Sequence, residues 1–74
     1  MAEIDTRGLK CPMPIIKLSA ELRKQALGAE LTVVADDKGF PPDLRAWCEK
    51  TGQELVSLDD TNPARLVGVV RRAK

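Results

Sequence analysis

The chain has 74 residues and a net charge of +1 at pH 7, enough for one domain with a small core and too few for a second domain or an elaborate cleft. Hydrophobic residues make up 43% and charged residues 31%, a soluble globular composition whose near-neutral charge supplies no global field for nucleic acid or a membrane. Phe40 and Trp47 are the only aromatic residues and histidine is absent, so the core has to be aliphatic, Cys–His and Ser–His catalysis are removed, and two thiols alone disfavour a protein-only zinc site.

Ala2 to Thr6 read as a first strand, followed by a turn at Arg7 and Gly8. Pro12 suits the first position of a helix, where its missing N–H is no loss, and this makes Cys11 the expected N-cap. Ile15, Leu18, Leu22 and Ala26 then recur at spacings of three and four, an amphipathic helix expected to end near Gly28. "ELTVVAD" is rich in β-branched residues with few polar interruptions, as in a central strand. "DDKGFPPD" is turn chemistry. Leu44, Trp47, Cys48 and Thr51 mark one face of a second helix that stops at Gly52. "ELVSL" and "ARLVGVVRR" give two more strands around the turn "DDTNP". The expected fold is a two-layer α/β sandwich of order β-α-β-α-β-β, in which a four-stranded mixed sheet carries both helices on one face. Residues 1–74 form one domain without repeat or linker.

Charge is unevenly spread: basic from Arg7 to Lys24, acidic from Glu30 to Asp60, basic again from Arg65. The default reading is a solvated surface of mixed sign. No stretch approaches the roughly 18 apolar residues of a membrane span, and the N-terminus lacks a signal-peptide core, so a cytoplasmic location is expected. In that reducing setting Cys11 and Cys48 are not expected to form a structural disulfide.

A strand–helix–strand crossover usually joins parallel strands. Both strand-to-helix connections then meet at one rim of the sheet, where open α/β sheets commonly bind ligands. Cys11, Asp36, Asp37 and Phe40 share that rim, whereas Cys48 belongs to the apolar stripe of the second helix and reads as a small core residue. The helix dipole and Lys10 favour a lowered pKa for Cys11, with Met13 N–H as the remaining backbone donor because Pro12 and Pro14 have none. Asp36 and Asp37 oppose this if they lie close. Leu9 and Met13 are candidates for an apolar docking collar beside the thiol. In a dithiol oxidoreductase the second cysteine of C-x-x-C resolves a mixed disulfide. Pro14 holds that place here, which suits a carrier better than a reductase.

The stretch "DTRGLKCPMPIIKL", with C-P-x-P at a strand-to-helix junction, resembles the TusA/SirA family of small sulfur carriers, and the likeness runs along nearly the whole chain. The resemblance implies that Cys11 takes up sulfane sulfur as a persulfide, or a thiosulfonate in some members, supported by Gly8, Lys10, Pro12 and Pro14. It implies a cysteine desulfurase or rhodanese-like donor and a DsrE-type or other protein acceptor. The destinations it implies are tRNA thiolation, sulfur oxidation or cofactor synthesis. No metal or cofactor, no membrane, no direct nucleic-acid partner and a monomeric free state are expected. Two other classes compete. A redox or selenium-related accessory protein would want a resolving cysteine or a base. A nucleic-acid-binding regulator could use the basic first helix and the "RRAK" tail, but has no aromatics for stacking.

Overall fold

A computed structural model describes residues 2–74. Its elements are β1 (Ala2–Asp5), α1 (Met13–Leu22), β2 (Glu30–Ala35), α2 (Phe40–Thr51), β3 (Glu54–Asp59) and β4 (Leu66–Arg71). The four strands form one sheet in the order β1-β2-β4-β3. β1 and β2 are parallel, and the other two pairings are antiparallel. The α/β class, the mixed sheet and the element order are those expected from the sequence.

The two strands richest in β-branched residues, β2 and β4, take the central places, where both edges of a strand pair with neighbours. Leu31, Val33 and Ala35 turn one face of β2 into the core, where they meet Leu18 and Leu22 of α1 and Phe40, Leu44 and Cys48 of α2. Thr32 and Glu3 lie on the opposite face. α2 packs so closely on β4 that a Cβ at Gly68 would stand 2.5 Å from Leu44 Cδ2 and 3.4 Å from the Phe40 ring. A side chain at that point of the strand would therefore have to displace Leu44. On edge strand β3 the register shifts between Leu55 and Ser57, leaving Val56 as an extra residue; such a bulge blunts an edge against pairing with other chains.

The end of α1 departs from expectation. The helix stops at Leu22 instead of running to Gly28, and Ala26 is exposed rather than part of the apolar face. The cause lies in the C-terminal segment. The Arg72 guanidinium donates to the carbonyls of Arg23 and Gln25, and the Gly28 N–H donates to the Arg72 carbonyl at 2.7 Å. Residues 23–28 are drawn off the helix axis to reach β4, and Gly28 makes the bend at φ +86°. α2 ends where the sequence places it, with Gly52 in the left-handed conformation at φ 77° and its N–H on the Cys48 carbonyl. Thr51, assigned to the apolar stripe, is exposed and bonds the Trp47 carbonyl with its hydroxyl instead. Among the described residues no helix is long and apolar enough to cross a membrane.

Candidate functional site around Cys11

β1 ends by a double tie. Thr6, itself buried, donates from both its N–H and its hydroxyl to the Val34 carbonyl, at 2.6 and 2.7 Å. This fixes the exit of β1 against β2 and launches the loop 7–12 across the rim. Asp5 steadies the first step by taking the Arg7 N–H and a forked pair of bonds from its guanidinium, which hold its carboxyl at about 2. Gly8 then turns the chain at φ +89°, a conformation that disfavours any side chain.

The two acids that follow β2 hold the loop from the other side. Gly8 N–H donates to Asp36 Oδ1 and Cys11 N–H to Asp37 Oδ2, each at 2.9 Å. Asp36 and Asp37 thus share the rim with Cys11, as the parallel β1–β2 pairing requires, and they position its backbone. The shared rim also holds Phe40, but as a buried residue at the base of the core.

The start of α1 differs from expectation by one residue. Pro12, after a cis Cys11–Pro12 peptide, is the N-cap, Met13 is the first helical residue and Cys11 stands before the cap. Met13 N–H is not available to the sulfur, since it donates to the Lys10 carbonyl at 2.8 Å, while Ile15 N–H is taken by the Pro12 carbonyl. The expected lowering of the thiol pKa is overturned as well. The Cys11 thiol donates to Asp43 Oδ2. That hydrogen bond first, then lost hydration and the charges of Asp43 and Asp37, raise the pKa of Cys11 above the ordinary thiol value. The charges acting on the sulfur are acidic, and Lys10 is not among them.

Cys11 is exposed and Cys48 is buried, and neither is in a disulfide. Burial raises the Cys48 pKa too. Pro14 is fully buried under the helix start, so its ring fills the core in addition to excluding a second thiol. Met13 is 40% exposed and Ile16 53%. Leu9 is half-buried, and Lys10 and Pro12 are exposed. From the sulfur an open cleft of about 640 Å³ runs between the helices, walled by Pro12 and Ile15 of one and by Asp43, Ala46 and Trp47 of the other, with Glu49 and Lys50 at its far end. The described residues hold no group of His, Cys, Asp and Glu suited to a metal ion.

Sequence reasoning missed Asp43, Gly39 and Ile16. A signal for Asp43 existed: it is the acid in the first turn of α2, and that turn opens on the rim where Cys11 stands. Gly39 leaves the space in which the site closes. A Cβ there would lie 3.3 Å from Asp37 Oδ2, 3.4 Å from Cys11 Cβ and 3.8 Å from Asp43 Oδ2.

A two-layer α/β domain that presents one exposed thiol ahead of a proline-started helix, without a second thiol beside it, has the form of a carrier. The chain belongs to the TusA family: the family described as "Sulfurtransferase TusA" matches residues 2–72. It is 39% identical over 54 residues to the sulfur carrier protein TusA of Allochromatium vinosum, covering 73% of this chain and 71% of that one. It is 40% identical over 57 residues to a candidate sulfur carrier of Neisseria meningitidis serogroup A, covering 77% of both. Among solved structures, a SirA-like protein of Desulfitobacterium hafniense has the same fold, with a TM-score of 0.83 over the full length of both chains at 21% identity. Membership in this family supports a sulfur carrier role, which entails a donor and an acceptor protein.

Proposed function

We propose that this protein accepts sulfane sulfur on Cys11 as a persulfide and hands it to an acceptor protein. The observation that supports this reading is the contrast between the two thiols: Cys11 is exposed at the rim, whereas Cys48 is 5% exposed within the core. Loading is a sulfur transfer without net redox change. The Cys11 thiolate attacks the outer sulfur of a donor persulfide, a new S–S bond forms, the donor's S–S bond breaks, and the donor leaves as a thiol after taking up one proton. The cargo on Cys11 then meets no internal thiol that could expel it as sulfide. The apolar and partly exposed Leu9, Met13 and Ile16, with Lys10 among them, offer a surface for the donor or acceptor around the sulfur. The donor expected is a cysteine desulfurase or rhodanese-like protein and the acceptor a DsrE-type or similar relay protein. The site of action is the cytoplasm.

Incubation with a cysteine desulfurase and cysteine, followed by peptide mass spectrometry, tests the assignment. An added mass of about 32 Da, one sulfur atom, is expected on the Cys11 peptide in the parent and in Cys48→Ser, and nowhere in Cys11→Ser. Sulfur kept by Cys11→Ser and lost from Cys48→Ser would reverse it.

A further inference from the structure

The contact between Cys11 and Asp43 joins two residues 32 positions apart, and nothing in the C-P-x-P motif accounts for it. Three features of the site make it a built contact. Asp37 fixes the Cys11 backbone through the N–H at 2.9 Å. Gly39 withholds a side chain at the point where Cys11, Asp37 and Asp43 converge. The exposed sulfur lines an open cleft between the helices, with Pro12 and Asp43 on its walls.

We propose that Asp43 sorts the two states of Cys11: its carboxylate holds the idle thiol as a neutral hydrogen-bond donor, takes the thiol proton on loading, and turns the anionic persulfide outward toward the acceptor. The idea rests on the sulfur-carrier reading. A thiol at neutral pH has a proton to give, and a carboxylate can receive it. A persulfide is a stronger acid than a thiol, so the loaded group carries its negative charge on the outer sulfur. That sulfur lies one S–S bond, about 2.0 Å, beyond the atom now touching Asp43. It has no proton for the carboxylate and shares its sign, so the contact that favours the empty state opposes the loaded one. On loading, the Sγ proton passes to Asp43 and on to the departing donor thiolate, which leaves the carboxylate ionised and the proton count balanced.

Among the described residues, the charged groups that act on the sulfur or line its cleft are Asp37 on the β2–α2 connection and Asp43, Glu49 and Lys50 on α2, with Lys10 next to Cys11 in the chain. The N-cap Pro12 and Ile15 of α1 bring only apolar groups to the cleft. Asp36 and Asp37 are engaged by the backbone of Gly8 and Cys11, so Asp43 is the carboxylate turned to the thiol itself.

The test compares Asp43→Asn and Asp43→Glu with the parent, all in a Cys48→Ser background. The pH profile of iodoacetamide alkylation reports the thiol. A parallel assay follows persulfide left on Cys11 when a small thiol acceptor is added. Asp43→Asn is expected to lower the alkylation midpoint by about one pH unit. At pH 7 this gives about tenfold more thiolate, offset about threefold by its weaker nucleophilicity, for a net rise of about threefold in rate. Its persulfide is expected to pass to the acceptor more slowly than the parent's. Asp43→Glu, with the charge kept, is expected to hold a raised midpoint. An Asn variant with the parent's profile overturns the proposal, and so does an equal fall in both variants, which would show a disturbed helix start rather than a lost carboxylate. If the parent takes no sulfur on Cys11 while the Asn profile still shifts, the carrier reading fails and the Asp43 contact stands.

Discussion

Gly39 shows how one missing side chain sets up chemistry. Its φ of −76° is ordinary for any residue, so Gly39→Ala imposes no backbone strain and reduces the freedom of the unfolded chain, worth about 0.4–1 kcal/mol in favour of folding. Against this, the new methyl would press on Asp37 and Cys11 at 3.3 and 3.4 Å. The two effects are expected to leave stability within about 1 kcal/mol of the parent while the alkylation rate of Cys11 changes. Urea unfolding and thiol labelling on the same samples check both. A large loss of stability with unchanged labelling would mean that Gly39 serves the fold and not the site. At this scale the sequence was legible only in part. C-P-x-P marked Cys11 because a thiol between a glycine turn and a proline-started helix has few structural uses. Asp43 and Gly39 were not legible. Their meaning depends on where α2 lies relative to the loop after β1, a long-range relation that no local spacing encodes. The expected acidity of Cys11 failed for the same reason: dipole and Lys10 are local features, and the carboxylate that outweighs them comes from the other helix.

The helices place the site by resting on particular strands. α2 lies directly on Gly68 of β4, and Leu44, which makes that contact, is the residue after Asp43. Gly68→Ala puts a methyl 2.5 Å from a fully buried leucine that has no solvent to move into. A cost of about 1–3 kcal/mol is expected, typical of overpacking. Any lift of α2 carries Asp43 with it. The variant should therefore show a lower urea midpoint together with a lowered alkylation midpoint for Cys11. A stability loss with the thiol profile intact would show that Asp43 is positioned by the β2–α2 connection alone. Element order, the start of α1 to within a residue and the stop at Gly52 were legible because capping, proline and apolar period act within a few residues, whereas α2 begins at Phe40, inside the stretch whose prolines and glycine read as a turn. The early end of α1 was not, since it is imposed by Arg72 from 47 and 49 residues away.

For the whole molecule, the shifted groups define a stability profile in pH. Both thiols have raised values in the folded chain. They favour folding at pH below the ordinary thiol value, and that contribution is lost as pH rises through the folded values. Asp5, lowered from 3.8 to about 2, and Asp59, also lowered, behave in the opposite sense. Their contribution is present above the ordinary carboxylate value and lost as pH falls toward the folded one. Urea midpoints are expected to stay level through neutral pH and decline on both sides. The double variant Cys11→Ser, Cys48→Ser should remove most of the alkaline decline and leave the acid limb in place. An alkaline limb unchanged in the double variant would assign it to other groups.

The parallel pairing of β1 with β2 has one more effect, on the chain's life before it is folded. Cys11 and the acids that quiet it are 26 and 32 residues apart and meet only when that crossover has closed. In a newly made or opened chain the thiol has ordinary acidity and open access, so the molecule is most easily oxidised or alkylated when it is least able to carry sulfur. Its own sulfur therefore keeps a chemical record of how often the fold has come apart.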